Sequence, residues 1–237
     1  MGRVPLTDRL RVEKSKPMWN DTELQHDVEN EVDWELSGGL RQISVTVKHG
    51  AVELGGHVDT FREKCAAERA VWRVAHVNHV TNAIRVVVPF PKQRDDDDIA
   101  LAAMTILEWN SLVPDSVDVK VADACVTLSG SVARHCQSEE AVRALSTLHG
   151  ITGIHNEIVL QPSVLHDDAK ANIEAALKRN ALVDSNHIKV TVTHGVAVLR
   201  GAARSRLEYD EAMNAAWAAP GVAKIEDHIT IGIGKGE

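Results

Sequence analysis

The sequence predicts an α+β protein made of three tandem α-β-β-α-β modules, each a three-stranded mixed sheet packed against two helices. Three observations predict it. Hairpin-like segments ending at Gly56, Gly130 and Gly201 recur at offsets of 74 and 71 residues. Apolar residues alternate with polar ones before each of those glycines, as a half-buried strand requires. Each hairpin is preceded by a helix-spaced apolar pattern and followed by an alanine-rich one.

Applied without gaps, the offsets superpose Ala67, Ala141 and Ala212, then Ala70, Ala144 and Ala215. They also superpose Val77, Ile151 and Val222, and finally Ile84, Ile158 and Ile229. Upstream they pair Val28 with Ala102 and Ile173, and Val32 with Ile106 and Leu177. Small residues fall on small ones and branched residues on branched ones over the whole unit.

Each unit opens on carboxylates: Asp21, the run Asp95 to Asp98, and Asp167 with Asp168. Carboxylates there cap free helix N–H groups and complement the helix dipole. Leu24, Val28 and Val32, four residues apart, give the first helix one apolar face. In the first strand Ile43, Val45 and Val47 face inward while Ser44 and Thr46 face out. His49-Gly50 and His194-Gly195 then mark two-residue type I′ turns, whose loop residues both need φ > 0. That register sets Val47 opposite Val52. The second unit carries Asp123-Ala124 instead, which predicts strain at Ala124 or a different turn. Ala67, Ala70, Val71 and Val74 line the second helix, small enough to sit close to the sheet. Ile84, Val86 and Val88 form one face of the last strand, reached by a right-handed crossover. Proline-bearing linkers, PFPKQR and QPSVLH, separate the units and forbid helix continuation. Modules of about 70 residues bury little surface alone, so the repeats are expected to pack on one another. The predicted boundaries are a basic tail over 1–20 and modules over 21–90, 95–162 and 167–232.

Composition limits the function classes. Charged residues make up 25% and hydrophobic ones 44%, as in an ordinary globular chain, but only 3% are aromatic, so the core must be aliphatic. The net charge of −8 repels phosphate backbones and disfavours nucleic-acid binding. The exception is the N-terminal stretch, where Arg3, Arg9, Arg11, Lys14 and Lys16 outweigh two acidic residues. Three cysteines, Cys65, Cys125 and Cys136, show no paired spacing and fit a reducing compartment. The first residues lack the apolar run of a secretory signal, and no stretch approaches the ~20 apolar residues of a membrane span. The expected location is the cytoplasm, or the periplasm for a chain from which a signal has been removed.

The pattern V-x-V-x-V, turn, V-x-L-x-G, alanine-rich helix and GV-x-x-V-x-N-x-I-x-V resembles the BON domain. The closing motif reads HVNHVTNAIRVVV (76–88), GITGIHNEIVL (150–160) and GVAKIEDHITI (221–231). Three positions depart from it: His76 and Ala124 stand where the pattern has glycine, and Asp227 where it has asparagine. The resemblance covers about Asp21 to Ile231. It implies a non-catalytic binding module associated with envelope stress, phospholipid surfaces or attachment to larger transport and channel proteins.

Sites of chemistry are few. His76 and His79 with Cys65 suggest a metal, but a metal site needs three or four convergent ligands, and neither histidine recurs in the other units. No metal or other cofactor is expected. The Asp95–Asp98 run is explained by a helix cap. The segment Gly232 to Gly236 lacks the spacing and following helix of a phosphate loop. His135-Cys136 reads as a helix start, not as a catalytic pair. Trp72 and Trp217 share one repeat position, where the second unit has Ser146. Packing between repeats is the simpler reading of these tryptophans, and an anchor for a protein partner or lipid is the sharper one. Trp34 and Trp109 are expected to finish the core or cover its rim. Gly50, Gly56, Gly130, Gly195 and Gly201 are structural turn residues. The functional expectation is a non-enzymatic, stress-associated adapter that binds a protein partner, itself or a small ligand between repeats, with phospholipid-surface binding as the alternative.

Overall fold

In a computed structural model, residues 20–36, 42–90, 93–161, 168–180, 183 and 187–231 are described. The basic N-terminal residues, Asp167 and the glycine-rich segment from Gly232 lie outside them. The first module runs α1 (Asp21–Glu35), β1 (Ile43–Lys48), β2 (Ala51–Val58), α2 (Phe61–Arg73), β3 (His79–Asn82) and β4 (Arg85–Val86). The second runs α3 (Asp96–Glu108), β5 (Val117–Ala122), β6 (Cys125–Val132), α4 (His135–Leu145), β7 (Gly153–Asn156) and β8 (Val159–Leu160). The third runs α5 (Ala169–Arg179), β9 (Ile188–Thr193), β10 (Val196–Ala203), α6 (Arg206–Ala218) and β11 (Lys224–Ile231). In each, the hairpin is antiparallel and its second strand pairs in parallel with the last strand, so the sheet is mixed. The last strand is continuous in the third module and split in two in the others.

The sheet follows the alternation. Ile43, Val45 and Val47 are buried, and Val47 faces Val52 across the ladder. His49 and Gly50 hold φ of 52° and 79°, and His194 and Gly195 hold 50° and 79°. The second module keeps the same turn: Asp123 and Ala124 stand at 51° and 58°. The strained alternative is therefore the one adopted. Asp96 supports it by accepting from the backbone N–H groups of Asp123 (2.9 Å) and Ala124 (2.8 Å).

The first helices need a correction of one residue. Buried positions are Leu24, Val28 and Val32 in α1, Ile99, Ala103 and Leu107 in α3, and Ala169, Ile173 and Leu177 in α5. Val28 thus corresponds to Ala103 rather than Ala102, and Val32 to Leu107 rather than Ile106. The loop to the first strand differs in length by one residue, which a gapless alignment cannot show. The same periodicity corrects Trp34 and Trp109, which neither finish the core nor cover its rim. Each lies two residues past the last core position, about 200° around the helix, and they are 82% and 85% exposed. At the helix start, Asn20 caps α1 by accepting from Thr22 N–H, so Asp21 is the first helical residue. Asp95 and Asp168 occupy the N-cap positions of α3 and α5 without a side-chain capping bond.

The second helices are fastened by one recurring device. Glu63, Gln137 and Glu208 share a repeat position, and each reaches back from the first turn to backbone N–H groups before its helix. Their inner faces are small: Ala67, Ala70, Ala141, Ala212 and Ala216 are fully buried.

Candidate functional site

The three modules meet through these second helices. Phe61, His135 and Arg206 are the first residues of α2, α4 and α6, and they occupy one repeat position. Phe61 packs against the second module's core, to which Leu145 of α4 belongs. His135 stacks on Trp217 near the end of α6, ring centroids 4.0 Å apart and planes 15° from parallel. The guanidinium of Arg206 lies 4.2 Å over the ring of Trp72 near the end of α2. First touches second, second touches third, and third returns to first. The modules form a closed ring with approximate threefold character.

Beside the Arg206–Trp72 contact lies a half-open cleft of about 910 Å³. The first module supplies the His49-Gly50 turn, the end of α2 and the segment through Asn78. The third supplies the start of α6 and the end of β11. Hydrogen bonds stiffen the first-module wall. Asn78 donates from Nδ2 to the His49 carbonyl (2.9 Å) and from its backbone to the Gly50 carbonyl (3.0 Å). His49 N–H donates to Asp21 (2.9 Å). His76 holds φ of 71° at the position where the other modules have Gly150 (96°) and Gly221 (87°). A side chain in this left-handed region is strained, and here it lies in the cleft wall.

Charge gathers in the same place. Arg73 pairs with Glu31 (2.8 Å) and Glu35 (2.6 Å), Arg206 with Asp210 (2.7 Å), and Arg204 with Glu208 (3.7 Å). Burial pushes the Asp210 carboxyl up, with Arg206 pulling the other way.

A family model for the BON domain matches residues 20–88, 95–162 and 166–233. The chain belongs to the BON family. Osmotically-inducible protein Y of Escherichia coli (strain K12) is 28% identical to this BON protein over 144 residues, 56% of this chain and 72% of that one. Two solved type III secretion structures overlap it weakly. CdsD of Chlamydia trachomatis is 15% identical, covers 88% of this chain and 92% of its own, and has a TM-score of 0.25. The periplasmic domain of PrgH from S. typhimurium is 14% identical, covers 84% and 98%, and has a TM-score of 0.20. Likeness at this level carries no argument about this BON chain.

Trp72 and Trp217 lie half-buried between BON modules, packed against the cores of the first and third. Gly56, Gly130 and Gly201 hold φ of 99°, 108° and 146°, where a Cβ would stand 1.9–2.0 Å from the carbonyl oxygen of Gln42, Ser116 or His187. Among the described residues no group of three His, Cys, Asp or Glu is placed to hold a metal. Burial pushes the thiols of Cys65 and Cys125 up, which keeps them protonated. Sequence reasoning missed Arg69, Arg204 and Arg206. The one signal for them was Arg204-Ser-Arg206 at a turn where the first module has Asp59-Thr60-Phe61. No described helix is long and apolar enough to cross a membrane.

Proposed function

We propose that this chain is a non-enzymatic BON adapter whose recognition site is the seam cleft between its first and third modules. The observation that carries the reading is the cleft of about 910 Å³ to which both modules contribute walls. It exists only because the ring closes. A site of that size suits a small ligand or an inserted partner segment. Similarity to an osmotically inducible protein supports a role in stress adaptation. The free thiols of Cys65, Cys125 and Cys136 support a reducing, cytoplasmic location.

The test is to fill the site. Ala75 is exposed and lines the cleft, so Ala75→Trp places an indole in it. Wild-type protein should retain a small molecule or a partner from cell extract, identified by mass spectrometry, and the filled variant should not. Equal retention by both, or by neither, removes the seam as the recognition site.

A second reading is binding to a phospholipid surface, and the exposure of Trp34 and Trp109 favours it. The acidic body opposes anionic lipid. Co-flotation with neutral and anionic vesicles at low and high salt tests it. Binding that survives high salt and falls in Trp34→Ala/Trp109→Ala supports this reading, and no co-flotation rejects it. The same assay on Trp72→Ala/Trp217→Ala tests the seam tryptophans as the anchor.

A further inference from the structure

We infer that the seam cleft takes a small soluble amphipathic anion, a carboxylate or phosphate monoester on an apolar body of ring size. This rests on the seam being the recognition site, as proposed above. The chain carries a net charge of −8, so the gathering of arginines at the cleft is not a matter of bulk composition. Yet four guanidiniums line it, from Arg69, Arg73, Arg204 and Arg206, against two carboxylates, Asp21 and Asp210. Both carboxylates are engaged, Asp21 with the His49 N–H and Asp210 with Arg206. The glutamates that hold Arg73 and Arg204 are not part of the lining. Arg69 forms no ion pair among the described residues and is exposed.

At the start of α6 the N–H groups of Arg206 and Leu207 have no acceptor within the helix, while the next N–H, from Glu208, is capped by Ser205 Oγ (3.2 Å). The same lining holds apolar side chains, Leu24, Val74, Val77 and Trp72, the last beneath the Arg206 guanidinium. Guanidiniums and aliphatic and indole surface gathered in one cleft suit a two-part ligand: an anionic head that accepts paired hydrogen bonds and a body that leaves water. A bare inorganic anion would satisfy only half of the site. The volume lies within the about 300–1,000 Å³ that small-molecule sites span.

The probe is 8-anilinonaphthalene-1-sulfonate, compared with its neutral analogue N-phenyl-1-naphthylamine, using full-length folded protein and fluorescence titration. The sulfonate should bind saturably at one site, and phenyl phosphate should displace it at lower concentration than inorganic phosphate does. Arg69→Gln should weaken the sulfonate about tenfold, the scale of one charge-assisted contact, and leave the neutral analogue unchanged. Arg204→Gln, at a side chain 63% exposed, is the second variant should the first not fold by circular dichroism. Arg143→Gln on α4, which is not part of the cleft lining, should have no effect. Absence of saturable binding, or equal affinity in wild type and both cleft variants, overturns the inference. Ala75→Trp separates the two levels. If it abolishes binding while the arginine variants do not, the seam stands as the site and the anionic class falls. If it too changes nothing, the seam falls as well.

Discussion

Tyr209 donates its phenolic hydrogen bond to Asp227 across 2.6 Å, at the position where the first two modules hold asparagine. Asn82, Asn156 and Asp227 each accept from the backbone N–H two residues on. The remaining polar atom differs. The amides of Asn82 and Asn156 donate, to the Lys64 carbonyl (3.2 Å) and to Ser138 Oγ (2.8 Å). A carboxylate can only accept, and the helix position that supplies Lys64 and Ser138 supplies Tyr209 in the third module. The departure from the motif is matched by a donor at its partner position.

That pair predicts an alkaline weakness. Burial first, then the hydrogen bond to Asp227, pushes Tyr209 up to about 12, against about 10 for a tyrosine in the unfolded chain. Between those values the folded state keeps a proton that the unfolded state releases. The stabilisation is therefore complete below about pH 10 and is lost as pH rises through 12. Tyr209→Phe cannot show this loss. The urea-midpoint advantage of wild type over Tyr209→Phe should be larger at pH 8 than at pH 11, and an advantage that grows with pH would contradict the assignment.

Two positions hold side chains where the fold prefers glycine. Ala124 stands at φ 58° and His76 at 71°. For a non-glycine residue the left-handed region costs about 1–2 kcal/mol, partly offset because glycine loses more entropy on folding. Ala124→Gly and His76→Gly should each raise unfolding stability by about 0.5–1 kcal/mol. Urea denaturation measures this. A destabilised His76→Gly would mean that the imidazole's contacts outweigh the strain.

The hairpin-end glycines behave in the opposite way. At Gly56, Gly130 and Gly201 a new Cβ would collide with a backbone carbonyl of the paired strand end, which cannot rotate aside. Alanine at any of the three should cost about 3 kcal/mol or more. A near-neutral variant would show that the strand ends shift freely.

The modules were legible because their signals are local. Alternation at Ile43, Val45 and Val47 and the His49-Gly50 turn involve neighbours in sequence, and each recurs. Val28 and Val32 were paired one residue off because α3 offers consecutive apolar residues, Ala102-Ala103 and Ile106-Leu107, of which the second in each pair lies on the core line. The seam was not legible. Trp72 and Arg206 stand 134 residues apart, and their contact follows from ring closure, which no local pattern encodes. The nearest trace was the shared repeat position of Phe61, His135 and Arg206, whose side chains differ in type because each meets a different neighbour.

The ring itself can be tested at the seam between second and third modules. His135 and Trp217 lie nearly parallel at 4.0 Å, and aromatic pairs of this kind contribute about 0.5–1.5 kcal/mol beyond the area they bury. His135→Ala and Trp217→Ala should each destabilise the protein by about 1–2 kcal/mol, since both side chains are partly buried. In the double variant the losses should fall short of their sum by about 1 kcal/mol, because the second substitution removes a contact already lost. The coupling separates ring closure from packing inside a module, because the two residues belong to different modules and share no other element. Additive losses would mean that α4 and α6 do not hold together in solution. The first and third modules would then have no fixed geometry from which to build a cleft.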